Sequence, residues 1–480
     1  MNFNGGLLGK LFGNNGKTSI RTGWGLFYNP IEQLVLEQFG AEPPFGGSTS
    51  LPGVFFNTPF VQQNGTVDPN PFTGILDPKP GSAQDWASFR PILLFGDFQP
   101  HMRTQYTAQY NFSIQREIAN GVLWQVNYVG SQGHRLLATH DINASNPQTC
   151  LDIITLQGQG ACGPFGEDSS FSVNVPQGFP FHLPNGSVVT GAKGGTPVEL
   201  VGLRPYSSPN CVQTGANIGQ GCPLDGVPIF TNIFAEDTIA ASAYNSLQSM
   251  LEKKFSHGLQ LQAAYTFSKS LDWASSFEET VNPFNFKSSR ALSLFNSAQR
   301  FVVNYYWDIP ARKYSGFAGK VLDDWSMSGI IQFQSGFPVR LSDPDDNELI
   351  SSIFFLGTGA PQALGPIQIL NPKKTYVING QPQTNLYFNT GQFQEPALGT
   401  FSTTPRAVCC GPGLNQWDVT VSKHISISEA KYFQFRADIF NLFNKTLFVN
   451  PDGNFSDTTF GQVQQARDPR LVQFALKFYF

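Results

Sequence analysis

The sequence predicts an all-β protein, an antiparallel transmembrane β-barrel of about ten meandering strands with long external loops. Three observations carry that expectation. The composition is poor in charge and rich in aromatic rings, many segments place apolar residues at every second position, and short and long connections alternate along the chain.

In 480 residues, charged side chains make up 13% and aromatic ones 14%, with 44 Phe against 4 Met. An ordinary soluble domain carries about 25% charged residues. The 47 glycines and 34 prolines call for many turns and loops. A net charge of −4 argues against a nucleic-acid partner. No apolar run reaches about 18 residues, so no helix is expected to span a membrane and any crossing must use strands.

Successive side chains of a strand point to opposite faces, so apolar residues at alternate positions mark a strand with one greasy face. "TSIRTGWGLFY" opens the series. "TQYTAQYNFSIQRE" sets Tyr106, Ala108, Tyr110, Phe112 and Ile114 on one side. "VLWQVNYVG" sets Val122, Trp124, Val126 and Tyr128 together. "YNSLQSMLEKKF" follows, and "LQLQAAYTFS" then aligns Leu259, Leu261, Ala263, Tyr265 and Phe267. "RFVVNYYWDI" and "DWSMSGIIQFQ" repeat the pattern through Phe301, Val303, Tyr305 and Trp307, and through Trp325, Met327, Ile331 and Phe333. After "QWDVTVSKHISI", "KYFQFRADIF" gives Phe433, Phe435, Ala437 and Ile439. The chain closes on "RLVQFALKFYF", where Val472, Phe474, Leu476, Phe478 and Phe480 share a face. Such lengths suit the roughly 9–11 residues a tilted strand needs to cross a bilayer. On this pattern the greasy face meets lipid.

The connections support a membrane barrel, whose periplasmic turns are short and whose external loops are long. "EIAN", "SHG" and "SEA" are tight, and "PARKYSGFAGK" is of medium length. The long connections run over 29–102, 131–243, 269–298, 335–415 and 442–470. Six of the seven tryptophans, all but Trp86, fall in or beside a strand, as interfacial rings do. Lys253 and Lys423 fit less well, because parity puts both on the apolar face. Lys253 can snorkel to the headgroups near a short turn. Lys423 sits deeper, which suggests a bulge or a shifted register.

The six cysteines form three close pairs without zinc-ribbon spacing. Cys150 with Cys162 and Cys211 with Cys222 read as small disulfide loops of an oxidising compartment, the other reading being free thiols in loops. Adjacent Cys409 and Cys410 make the least secure pair, since a bridge between neighbours is strained.

No catalytic set or cofactor motif emerges, so neither an enzyme nor a cofactor is expected. The histidines 101, 134, 140, 182, 257 and 424 lack metalloprotease or nucleophile-elbow context. His424 reads as a hydrogen-bonded wall residue. Asp343, Asp345, Asp346 and Glu348 in "DPDDNE" are oxygen-rich enough for Ca²⁺ but lack the EF-hand glycine and spacing, so a solvated loop is the expectation. Arg436, Asp438, Glu252 and Lys254 face the lumen by parity and read as a charge network bracing the wall. A secreted glycoside hydrolase would need paired carboxylates in a cleft, and these strands carry few acids.

Several stretches carry a family resemblance. The last strand, through Val472, Phe474, Leu476, Phe478 and Phe480, resembles the signal read by the barrel-assembly machinery of outer membranes. "SAYNSLQSMLEKKFSHGLQLQAAYTFSKSLD", "GPGLNQWDVTVSK" and "FRADIFNLFNKT" resemble the C-terminal barrel of TonB-dependent transporters, as do "NYVGSQGHRL" and "GKTSIRTGWGLFYNP" in their Oar-like branch. The motif residues are Gly411, Pro412, Gly413, Asn415, Trp417, Asp418, Asp438, Phe440, Asn441, Phe443 and Asn444.

The resemblance implies a receptor or transporter in the outer membrane of a Gram-negative bacterium. Its partners would be outer-membrane lipid, the assembly machinery, the TonB system acting through a plug domain absent from this chain, and an unidentified ligand. A family barrel has about 22 strands. With about ten strands and an opening "MNFNGGLLGKLFGNNGK" unlike a signal peptide, residues 18–480 read as the C-terminal half of such a barrel and residues 1–17 as an N-terminal stub. The alternative is a small passive barrel or adhesin closed by ten strands alone. Pairing of "TSIRTGWGLFY" with "LVQFALKFYF" would mark that alternative.

Overall fold

The computed structural model describes residues 17–30, 54–55, 57–62, 65, 67, 92–208, 211, 221–222, 226–276, 279–310, 314, 316–350, 359–408, 410–428 and 431–480. Ten strands build the wall: β1 (Thr18–Asn29), β2 (Gln105–Ala119), β3 (Val122–Asp141), β4 (Phe230–Ser256), β5 (Leu259–Asp272), β6 (Gln299–Asp308), β7 (Trp325–Gln334), β8 (Leu414–Ser426), β9 (Tyr432–Phe440) and β10 (Leu471–Tyr479). Each pairs antiparallel with the next in sequence order. The sheet therefore has the expected meander.

The register puts the alternating apolar residues on one side of all ten strands. Ile20 opposes Ile114, and Ile114 opposes Val126. Tyr265 opposes Phe301, and Phe301 opposes Phe333. At the other end Val421 opposes Ala437, which opposes Phe474. A one-residue slip would turn the greasy residues of a strand to the wrong face, so this pattern fixes the register. Many of these side chains are bare: Phe474 is 68% and Leu476 67% exposed. Burying such a side chain is worth about 1.5–3 kcal/mol. A continuous uncovered face of this kind calls for an apolar solvent.

Short and long connections alternate as expected. β2 to β3, β4 to β5 and β8 to β9 are joined tightly, and β6 to β7 through helix α2 (Gly316–Leu322). The other connections are long. The tight joints rest on positive-φ residues, with Gly121 at 70° after β2, and His257 and Gly258 at 52° and 73° after β4. Such φ values suit glycine and strain most other residues.

Two strands exceed the expectation. β3 has 20 residues and β4 has 27. Beyond the length a bilayer needs, Phe234–Asp237 still pairs with residues 138–141, and Ile92–Phe98 adds in parallel to Phe230–Glu236. The extension is held by burial of Ile92, Ile229, Phe230 and Ile233, and beside them of Ala138, Ala240 and Val281. The second long connection thus shrinks from 131–243 to 142–229.

Lys423 corrects another expectation. Pairing from Val419 to Ser426 is unbroken, with Lys423 opposite Trp325 and Phe435, so neither a bulge nor a slipped register occurs there. Instead Lys423 Nζ donates to the backbone carbonyl of Asp323 and lies 5.8 Å from the Trp325 ring centroid. Its charge leaves the apolar face by bending towards the short-turn end. A register shift falls instead between Lys253 and Ser256, where Lys253 Nζ donates to Ser256 O at 2.9 Å and Leu259 O at 2.7 Å.

The sheet path ends on β1 and β10, and these two strands do not pair with each other. Disulfides join Cys150 to Cys162 and Cys211 to Cys222. Cys409, most of the 29–102 connection and residues 1–16 of the expected stub lie outside the described residues.

Candidate functional site

The long connections form a layer above the wall. After β3, helix α1 (Pro147–Gln157) starts at Asn146, whose Oδ1 accepts the Gln148 N–H at 3.1 Å. A side chain of this type at the N-cap satisfies one of the orphan donors of the first turn. The helix packs Ile153 and Cys150 against Val175, Phe181, Leu200 and Leu203, and Leu349 of the β7–β8 connection enters the same core. Arg204, fully buried, donates through Nε to Asp168 at 2.9 Å. Its Nη1 reaches Asp141 at 3.4 Å and the Ile350 carbonyl at 3.3 Å. One guanidinium thus joins the top of β3 to two loops, using the fork of donors that only arginine offers.

A second clamp joins the β5–β6 and β7–β8 connections. Glu279 accepts from both Arg340 and Arg406, the latter at 2.8 Å, and Arg406 also pairs with Asp272. The β7–β8 and β9–β10 connections share an aromatic core, in which Phe460 lies 5.2 Å from Phe388 and 5.3 Å from Phe393. Sequence reading missed both clamps. Their only signal was the presence of arginines in loops of a chain with so little charge.

Three acids of the run are buried rather than solvated, and of the four only Asp345 is exposed. Asp343, Asp346 and Glu348 are inside because Leu349 and Ile350, which follow, are core residues that pull the run inward. Asp343 Oδ1 accepts the Asp345 N–H at 3.2 Å, and Asp346 accepts the N–H groups of Ile350 and Phe165. Ligand oxygens of Asp343, Asp345 and Glu395 lie within 4.8 Å of one another. Burial, helped by neighbouring carboxylates, pushes Glu348 up to about 8, and partial desolvation together with the adjacent Asp343 carboxylate pushes the outer Glu395 up to about 7. Burial and the adjacent Asp346 push Glu167 up to about 9.

On the polar side of the wall, Arg436 Nε donates to Asp438 at 2.8 Å, and Thr420 Oγ1 donates to the same carboxylate at 2.6 Å. Glu252 and Lys254 lie on β4, with four strands between it and β9, so the four charges are not one network. At the short-turn end His424 lines a concavity of ≈ 490 Å³ with Asp308, Asp323, Asp324 and Trp325. At the long-loop end a second concavity of ≈ 500 Å³ is lined by His134, Trp273, Lys287 and Arg290. It is mixed in character, with two cations and one large ring.

The motif residues sit where β8, β9 and β10 meet their loops. Asp418 Oδ1 accepts the Asn441 N–H at 2.9 Å. Asn441, at φ 49°, donates through Nδ2 to Lys445 O at 2.9 Å and Asp468 O at 3.3 Å. Asn444, also at φ 49°, accepts the Arg470 N–H at 3.0 Å. Asparagine tolerates this left-handed backbone better than most side chains. Trp417 meets Phe443 edge-on at 5.4 Å and donates to Asn415 Oδ1 at 3.1 Å. Phe440 opposes Leu471 across the β9–β10 ladder. Pro412 lies between Gly411 and Gly413, where the chain runs so close that a Cβ on Gly411 would stand 2.1 Å from Asn450 Oδ1. The geometry is that of a joint fixing how the strands enter the loop layer.

No characterised protein sequence matches the chain. Among solved structures it is similar to the outer membrane transporter YddB from Escherichia coli, at 10% identity and a TM-score of 0.36, covering 81% of this chain and 34% of that one. It is similar to FpvA of P. aeruginosa in complex with a pyoverdine and iron, at 8% identity and a TM-score of 0.35, covering 97% and 31%. The siderophore receptor PirA from Acinetobacter baumannii matches at 10% identity and a TM-score of 0.33, covering 80% and 33%. The chain spans about a third of the length of these proteins. The family described as "outer membrane beta barrel domain" matches residues 9–473, nearly the whole sequence. The chain is a member of that outer-membrane β-barrel family.

Proposed function

We propose that the chain is the C-terminal part of a TonB-dependent, Oar-like receptor or transporter, which holds a ligand through its external loops and lumen. The observation that carries this reading is the ten-strand sheet ending on β1 and β10 without a pairing between them. A sheet in lipid must pair every backbone group, and an open edge does not satisfy that need. Further strands on both edges would, as in a barrel of about 22 strands. The motif residues quoted from "GPGLNQWDVTVSK" and "FRADIFNLFNKT" support the TonB-dependent branch. In this reading a plug and the TonB system act through residues outside this chain, and the wall and loop layer supply the ligand-facing surface.

The loop layer supports a receptor role. Its loops are bolted by buried ion pairs at Arg204 and Glu279, and binding surfaces are commonly loops held on a rigid scaffold. The test is outer-membrane fractionation of the source cells, probed with an antibody against residues 335–413. A band at roughly twice 52.7 kDa or more supports the reading. A heat-modifiable band near 53 kDa would instead indicate the small passive barrel.

A further inference from the structure

We propose that Asp343, Asp345 and Glu395, with the buried Glu348 beside them, form a binding site for one hard divalent cation of the calcium class, clipping the β7–β8 connection into its folded form. The site combines a short turn with a distant segment. Asp343 and Asp345 are two residues apart, with the Asp343 Oδ1 taken by the Asp345 N–H at 3.2 Å. Glu395 comes from about fifty residues downstream, and its ligand oxygen lies within 4.8 Å of those of both aspartates.

The second observation is buried and unpartnered oxygen. Asp343 is 7% exposed and its Oδ2 accepts no hydrogen bond; Glu348 is 3% exposed and its Oε1 accepts none. Glu348 faces the carboxylates of Asp343, Asp346 and Glu395. Asp346 is already engaged by the N–H groups of Ile350 and Phe165, and Glu395 Oε2 accepts from Asn347 Nδ2 at 2.5 Å, which leaves Asp343 Oδ2 and Glu348 Oε1 as the buried oxygens of the cluster without a partner. Among the described residues no Lys or Arg forms an ion pair with any of the four. Packing so many carboxylates together without a cation is costly, because like charges raise one another's pKa and buried charge is poorly solvated.

The chain also makes room there. Gly359 runs beside the cluster, and a Cβ on it would stand 3.3 Å from both Glu348 oxygens and 2.3 Å from the Asp343 carbonyl oxygen. An all-oxygen donor set selects calcium or magnesium over zinc or copper. Calcium accepts the irregular, partly exposed geometry of two loop segments, whereas magnesium demands a near-ideal octahedron. Asp345 and Glu395 form the exposed entrance, and Asp343 and Glu348 the buried floor. The inference rests on loop geometry alone and is independent of the receptor reading.

The test titrates CaCl₂ into the full chain folded in detergent, followed by calorimetry, with Asp345→Asn and Glu395→Gln as variants. Both positions are exposed, so neither change disturbs a core. The expected result is saturable binding at one site, weakened at least tenfold in each variant, and slower trypsin cleavage within 342–400 when calcium is present. Absence of saturable binding would overturn the proposal. So would variants that bind as tightly as the parent chain, since the ion would then sit elsewhere.

Discussion

Arg204 and Asp141 meet at 3.4 Å inside the protein, both almost wholly shielded from water. The contact ties a residue of the second long loop to the last residue of β3, so the loop layer is an extension of the wall. This makes the layer open to energetic test, because breaking one partner of a buried pair leaves a bare charge behind.

Arg204→Ala should strand Asp141 and Asp168 and loosen the contact to Ile350. A loss of about 3–5 kcal/mol is expected for removing one partner of a buried pair. Hydrogen exchange should quicken across 141–208 and 343–350 while the ladders of β5 to β10 keep their protection. Unchanged exchange would show that the clamp is dispensable.

Glu279→Gln removes the shared acceptor of Arg340 and Arg406. The expected cost is again about 3–5 kcal/mol. It should appear as faster proteolysis of the β5–β6 and β7–β8 connections together. Cleavage of one connection without the other would contradict the shared clamp.

Asn441→Ala loses both Nδ2 hydrogen bonds and places a less tolerant side chain at φ 49°. About 0.5–1.5 kcal/mol is expected, the usual net worth of such hydrogen bonds, because the Lys445 and Asp468 acceptors belong to exposed residues. Asn441→Gly should recover the backbone part alone and lie between the two in thermal stability. Equal stability of all three would remove any structural role for the motif.

The raised carboxyls give the layer a pH dependence with a definite sign. Glu348, Glu395 and Glu167 hold their protons in the fold up to about 8, about 7 and about 9, against 4.5 for an ordinary Glu. Between about 4.5 and 9 the folded form thus binds more protons than the unfolded one, and stability falls as pH rises. It is fully present below 4.5 and fully lost above about 9. Without divalent cations, the loops should resist a broad-specificity protease that is active at both pH values, normalised to an unfolded control, better at pH 5 than at pH 8. Greater resistance at pH 8 would contradict these burials.

An arginine replacing Phe474 would sit on the bare apolar face near the middle of β10 and should cost about 2–4 kcal/mol in a bilayer. Gln473→Arg, on the opposite face and beside Asp438 in the ladder, should be tolerated. Comparing the yields of membrane-inserted protein checks the pair.

The strands were legible because each segment repeats one period, and a period of two has a single reading in a membrane wall. Val472, Phe474, Leu476 and Phe478 could be assigned a face without knowing their neighbours. The loop layer was not legible for the opposite reason. Arg204 meets Asp168 thirty-six residues away, and Glu279 meets Arg406 across 127 residues, distances over which no local pattern runs. The acidic run was misread as solvated because its burial is imposed by Leu349 and Ile350, not by the acids themselves. Lys423 was misplaced in depth because parity gives the face of a residue but not where its long stem carries the charge.

The most direct measurement of the central claim uses single cysteines along β10, labelled with an environment-sensitive probe in the membrane-inserted protein. Val472→Cys, Phe474→Cys and Leu476→Cys should be quenched by brominated lipid and spared by a water-soluble quencher. Gln473→Cys, Ala475→Cys and Lys477→Cys should show the reverse. Uniform access of the aqueous quencher to all six positions would contradict a lipid-facing wall.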